Sequence, residues 1–198
     1  MNTHIITKDQ LDADNNYIGS VSLADFQGSL EIESSLGWVN FSKTLNVSGC
    51  ILAKAGSGIG AGRGVKAGRG IKAGLGIEAG EGIKAGWGIE AGRGIKAGRG
   101  IEAGWSIKAG RGIKAGLGIE AGLSIKAGWG IKAGWGIKAG LGIEAVKTIA
   151  VLLRVFAGLC IWRRPTEEEQ TVTCSRFSGT LAFGELIETG NTKATEAQ

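Results

Sequence analysis

The sequence predicts an all-β fold, a single-stranded parallel β-helix (solenoid) of six-residue repeats, and three observations predict it. Ile or Val recurs at every sixth residue from Ile59 to Ile143, fifteen units without an insertion. The unit reads aliphatic, Lys or Glu, Ala, Gly, a variable residue, then Gly; Ser106 and Ser124 replace the last glycine, the first unit has Gly60 at its second place, and the last unit departs from the pattern after Ala145. The chain also holds 37 glycines and one proline in 198 residues. Those glycines are spaced alternately four and two apart, which excludes the collagen triplet, and 43% hydrophobic residues excludes a glycine-rich disordered chain.

The unit itself argues each element. A helix is excluded, because two glycines per unit would cost about 1 kcal/mol each relative to Ala. Alternation places the first and third residues of a unit on one face of a short strand and the second on the other. Ile and Ala then point inward, and Lys or Glu points to solvent. Gly-X-Gly suits a corner, since glycine accepts backbone angles closed to other residues. Three units make one coil of 18 residues with a triangular section, a count that fits the 18-residue separation of Ser106 and Ser124. The perfect repeat supplies five such coils, stacked about 4.8 Å apart.

One continuous domain with three parts follows. Residues 1–55 form irregular coils and a cap, residues 56–145 the regular β-helix, and residues 146–198 further coils and a second cap. Capping is expected because open strand edges invite polymerisation. The register should extend outward through Phe41 and Val47 upstream and through Ile149, Val155 and Ile161 downstream. FQGSLEIESSLGWVNF and FSGTLAFGELIE, one on each side, both alternate like strands of irregular coils.

The repeat I-K/E-A-G-x-G resembles bacterial β-helix sequences of the bactofilin type and of the carboxy-terminal domain of the division inhibitor MinC. It differs from the left-handed acyltransferase hexapeptide, which carries a small residue two places before its aliphatic one. Arg69, Trp87 and Leu117 stand there in this chain, which points to right-handed winding.

Charge and chemistry narrow the function. The formal net charge is +5, but residues 56–145 hold nine Lys, five Arg and six Glu, so the repeat carries +8 and the remainder −3. No basic stretch leads into an apolar one at the amino terminus, and the apolar run Ile149–Trp162 is broken by Arg154 and short for a bilayer. The expectation is a cytoplasmic protein with no membrane partner. Cys50, Cys160 and Cys174 have no CxxC spacing, so they predict small apolar side chains rather than a metal site or disulfides. His4 is the only histidine, which leaves no Ser-His-Asp or Cys-His arrangement; it is expected to be solvated. No phosphate loop has its strand-loop-helix context. No Thr occurs in residues 56–145, which excludes the usual ice-binding ranks. The expectation is a protein that is not an enzyme and has no cofactor and no metal.

Function then falls to the positions that vary. The Lys and Glu of the second position are expected to pair along stacked strands. The fifth position holds five Arg, four Trp, four Leu and Glu81, and a narrow coil filled by Ile cannot enclose them. Trp and Arg are the types enriched at binding hot spots, so Trp87, Arg99, Trp105, Arg111, Trp129 and Trp135 are the candidate partner-binding residues. Arg dominates from Arg63 to Arg111, whereas Leu and Trp dominate from Leu117 to Leu141. By type, a small repeat scaffold with capped ends resembles immunity proteins of toxin–immunity pairs, including contact-dependent growth inhibition systems. That resemblance implies a protein partner, a cognate toxin domain. A bactofilin-like polymer and nucleic-acid binding through the Arg, Lys and Trp rows are the alternatives.

Overall fold

The computed structural model describes residues 2–190. Its strands are nearly all parallel and form three faces of a triangular prism. The first face stacks ten strands, from Thr3–Ile6 through Ile71–Ala73 and Ile143–Ala145 to Glu185–Glu188. The second runs from Gly37–Phe41 through Ile77–Ala79 to Gly130–Ala133, and the third from Leu45–Val47 through Val65–Ala67 to Ile137–Ala139. The long strand Thr148–Phe156 turns the corner between the second and third faces and pairs with both.

Within the repeat the register is the predicted one. Ile77 lies opposite Ile95, and Ile95 opposite Ile113, so each coil has 18 residues. Every Ile and Ala of the fifteen strands is buried, forming a continuous apolar core. Ser57 is the buried polar residue among those described. Its hydroxyl donates to the Glu33 carbonyl and accepts from the Leu36 amide, which satisfies it.

The corners use glycine for a reason other than the one expected. The described glycines with φ in the left-handed region are Gly37, Gly56, Gly158, Gly179 and Gly184, outside the regular corners. What the corner demands is close approach. A Cβ on Gly98 would run into the Gly80 carbonyl oxygen one coil below, and the same holds for each fourth-position glycine from Gly80 to Gly140. The sixth-position glycines are different: a Cβ on Gly100 would meet the Gly118 oxygen at 3.5 Å, an ordinary contact.

Both ends continue the coil with altered lengths. Ile51 lies opposite Ile71, a 20-residue coil, because the corner at residues 54–57 carries two extra residues. As a result Phe41 and Val47 are buried but take the Ala position, opposite Ala61 and Ala67, while Val39 and Leu45 take the Ile position. Downstream, Ile149 and Val155 keep their expected places opposite Ile131 and Ile137. Ile161 does not. It is 92% exposed, because the chain leaves the coil after Ala157 and returns only at Thr171, where Val172 fills the position opposite Ile143. His4 also differs from expectation: it is partly buried, with Nε2 3.0 Å from the Tyr17 hydroxyl and Phe26 beside the ring. Cys174 is buried, whereas Cys50 and Cys160 are partly exposed.

Candidate protein-binding surface

Each fifth-position residue sits on a corner, and from Arg69 onward its backbone amide donates to the carbonyl of the corner residue one coil below. Trp105 N donates to Trp87 O at 2.9 Å, and Trp129 N to Arg111 O at the same distance. These bonds sort the corner residues into three edges. The edge between the third and first faces carries Arg69, Trp87, Trp105, Leu123 and Leu141. The edge between the first and second carries Leu75, Arg93, Arg111, Trp129 and Lys147. The edge between the second and third carries Arg63, Glu81, Arg99, Leu117, Trp135 and Leu153.

The six candidate residues are therefore distributed two to an edge, and no single flat surface holds them all. Trp87 and Trp105 stand together, their rings stacked at 5.5 Å, with the Arg69 guanidinium over Trp87. Arg111 and Trp129 also stand together, the guanidinium 5.9 Å from the ring centre, and Lys147 from the next coil approaches the same ring at 4.9 Å. Arg99 and Trp135 share the remaining edge with Leu117 between them. All four tryptophans stay exposed, from 44% for Trp87 to 60% for Trp135, so stacking along the edge covers part of each ring and leaves the rest in water.

The third face carries apolar corner side chains beside its glycines. A groove of about 990 Å³ runs along it, floored by Gly82, Gly100, Gly118 and Gly136. One wall is the corner row of Leu117, Trp135 and Leu153, with Phe156 at the far end; the other is the Lys and Glu row of the face itself. The stacked Trp87–Trp105 pair forms the opposite edge of this face. Three of the four corner tryptophans thus frame one face, a grouping that the six-residue period does not reveal and an 18-residue reading would have.

Lys and Glu of the second position pair as expected on two faces. Lys72–Glu90 and Lys126–Glu144 bridge coils on the first face, Lys84–Glu102 and Lys138–Glu120 on the third. These pairs are about half exposed, so each contributes a few tenths of a kcal/mol at most. The second face departs from the pattern. Lys96 pairs with Glu78, but Lys114 and Lys132 follow it directly and have no carboxylate within bridging distance among the described residues. No known protein family, curated protein or solved structure matches this chain.

Proposed function

We propose that this chain is a non-enzymatic, protein-binding solenoid that captures its partner in the groove of the third face. The observation that carries the reading is the groove itself, whose glycine floor and Trp135 wall offer large apolar anchors an open, extended contact. Its size falls within the range of ligand-binding clefts, and Trp anchors at such sites supply most of the binding energy. The stacked Trp87 and Trp105 add a second rigid aromatic contact at low entropic cost, because stacking already restricts both side chains.

In its specific form the proposal is a cytoplasmic immunity protein that neutralises a cognate toxin domain. Its support is of type: a repeat scaffold whose constant residues make the coil and whose variable residues make the contact surface, so that one corner substitution alters the partner face and leaves the core unchanged.

The test is site-specific cross-linking. The chain carrying a photoreactive benzoylphenylalanine at position 135 is expressed in the cells that make it, and adducts are identified by mass spectrometry. The expected result is one protein adduct, whose isolated expression arrests growth and whose co-expression with this chain does not. An adduct of the chain with itself would favour a polymer, an RNA adduct would favour nucleic-acid binding, and either overturns the proposal.

A further inference from the structure

The second face is the basic side of the molecule. Lys96, Lys114 and Lys132 lie directly opposite one another on successive strands. Arg93 and Arg111 stand on one bordering edge and Arg99 on the other, and Lys147 extends the first of these rows. From Arg93 to Lys147 no carboxylate occupies this face or its two edges. Like charges facing each other across strands are unfavourable. On the other two faces such runs stop at two lysines, Lys66–Lys84 and Lys108–Lys126, each ended by a Glu, whereas here three lysines follow one another after Glu78.

Beside the lysine row runs a trough of about 390 Å³ with Gly94, Gly112 and Gly130 along its floor and Trp38 at one end. Trp38 shows what the trough accepts. Its indole covers the start of the same glycine row, where a Cβ on Gly76 would come within 2.9 Å of the ring and one on Gly58 within 3.2 Å. Further along, a Cβ on Gly112 would meet the Gly130 oxygen at 3.4 Å, so stacking of the coils does not require glycine there. Ser106 and Ser124 occupy the equivalent place beside the third–first edge, in the same fold. The bare floor beyond Trp38 is therefore available to a flat side chain arriving from outside.

We infer that the second face binds an acidic, aromatic-containing extended segment of a protein partner, with aromatic side chains laid on Gly94 and Gly112 and carboxylates turned to Lys114 and Lys132. The inference rests on the protein-binding reading above and adds the charge and shape of the partner. A protein segment fits better than a nucleic acid. Stacked bases need aromatic faces to lie on, and beyond Trp38 the trough is lined by glycine, isoleucine and lysine with no aromatic side chain along Gly94, Gly112 and Gly130.

Fluorescence anisotropy with three labelled probes tests it on the intact chain: an alternating Glu–Trp decapeptide, an alternating Lys–Trp decapeptide and a twenty-nucleotide oligothymidine. The expected order is tightest binding of the Glu–Trp peptide, weakened about tenfold by Lys114→Glu/Lys132→Glu and less than twofold by Lys108→Glu/Lys126→Glu. The second pair changes net charge identically and also lies on adjacent strands, but on the first face. Gly112→Leu fills the trough without touching charge and should also weaken the Glu–Trp peptide about tenfold, with an unchanged circular dichroism spectrum. Equal losses from both lysine pairs, or no effect of Gly112→Leu in a folded chain, overturns the inference. Tighter, second-face-dependent binding of oligothymidine assigns the face to nucleic acid and overturns it as well. None of these outcomes bears on the position 135 adduct, so the two proposals fail separately.

Discussion

Trp105 lies on Trp87 with ring centres 5.5 Å apart and planes 8° from parallel, while its backbone amide donates to the Trp87 carbonyl. The backbone bond sets the coil spacing, and the ring spacing follows from it. Aromatic pairs of this kind are worth about 1 kcal/mol beyond their buried area. Two parallel indoles this close should be hypochromic in the near-ultraviolet absorption spectrum. Trp105→Ala is expected to remove that hypochromism and Trp129→Ala to leave it intact; hypochromism that survives Trp105→Ala would mean that the pair is not stacked in solution.

Ile101 is 1% exposed and lies between Ile83 and Ile119 in an unbroken column. Ile101→Ala removes methyl groups from a site whose neighbours are held by two sheets of stacked strands, so the cavity collapses poorly. The expected cost is about 3 kcal/mol in chemical denaturation. A loss below 1 kcal/mol would place Ile101 outside a close-packed core.

Two neighbouring glycines should respond in opposite directions. Gly98→Ala drives a methyl into the Gly80 carbonyl and forces the coils apart, a cost of about 3 kcal/mol or more by overpacking. Gly100→Ala meets only an ordinary contact and removes freedom from the unfolded chain, so it should be neutral or stabilising by about 0.5 kcal/mol. Melting curves of the two variants compare them directly; similar losses would mean that the sixth position also needs glycine.

The difference between those glycines marks how far the sequence could be read. The six-residue period placed Ile and Ala inside and Lys and Glu outside from Val65 to Ala145, because every unit repeats the same two-residue alternation. It did not show which glycines are compelled, since the clash depends on the coil below rather than on the unit itself. Upstream, the two additional residues at the corner of residues 54–57 shifted Phe41 and Val47 into the Ala position, and nothing in the alternation alone reports such an insertion. Downstream, Ile161 kept the period by coincidence, in a segment that had already left the coil. The site shows the same pattern. Trp and Arg at the corners were legible, but their division among three edges, and the run Lys96–Lys114–Lys132, required the 18-residue coil. Trp38, which lies over the glycine row, gave no periodic signal at all.

Arg163 donates two hydrogen bonds to the Glu169 carboxylate, which also accepts from the Thr166 amide, and together these brace the excursion between Ala157 and Thr171 from within. The Arg163 hydrogen bonds, aided by that amide, lower the Glu169 pKa to about 2. A depressed carboxylate contributes stability that is complete above its unfolded pKa, about 4.3, and is lost as pH falls through the folded value. The internal brace should therefore be at full strength above about pH 4.3, weaken as pH falls below it and be lost near 2. Carboxyl-carbon NMR titration should find the Glu169 midpoint near that pH, and Arg163→Ala should return it to the ordinary carboxylate range. A Glu169 midpoint near 4 in the unaltered chain would rule out the pairing.

The aromatic frame of the third face, as the proposed site of partner capture, has one rival, the irregular carboxy-terminal segment. Val172 and Cys174 are buried, so that segment is probed by surface substitution and not by deletion. The most direct measurement is calorimetric titration of the protein cross-linked from position 135 against three chains. These are the unaltered chain, Trp87→Ala/Trp105→Ala/Trp135→Ala, and Arg176→Ala/Phe183→Ala/Ile187→Ala. Loss of an aromatic anchor typically costs about 2 kcal/mol or more, so the triple Trp variant should bind at least about a hundredfold more weakly while the carboxy-terminal variant binds within a few-fold of the unaltered chain. Undiminished affinity of a folded triple Trp variant, with loss in the carboxy-terminal variant, would contradict capture by the third face and move the binding site to the end of the solenoid.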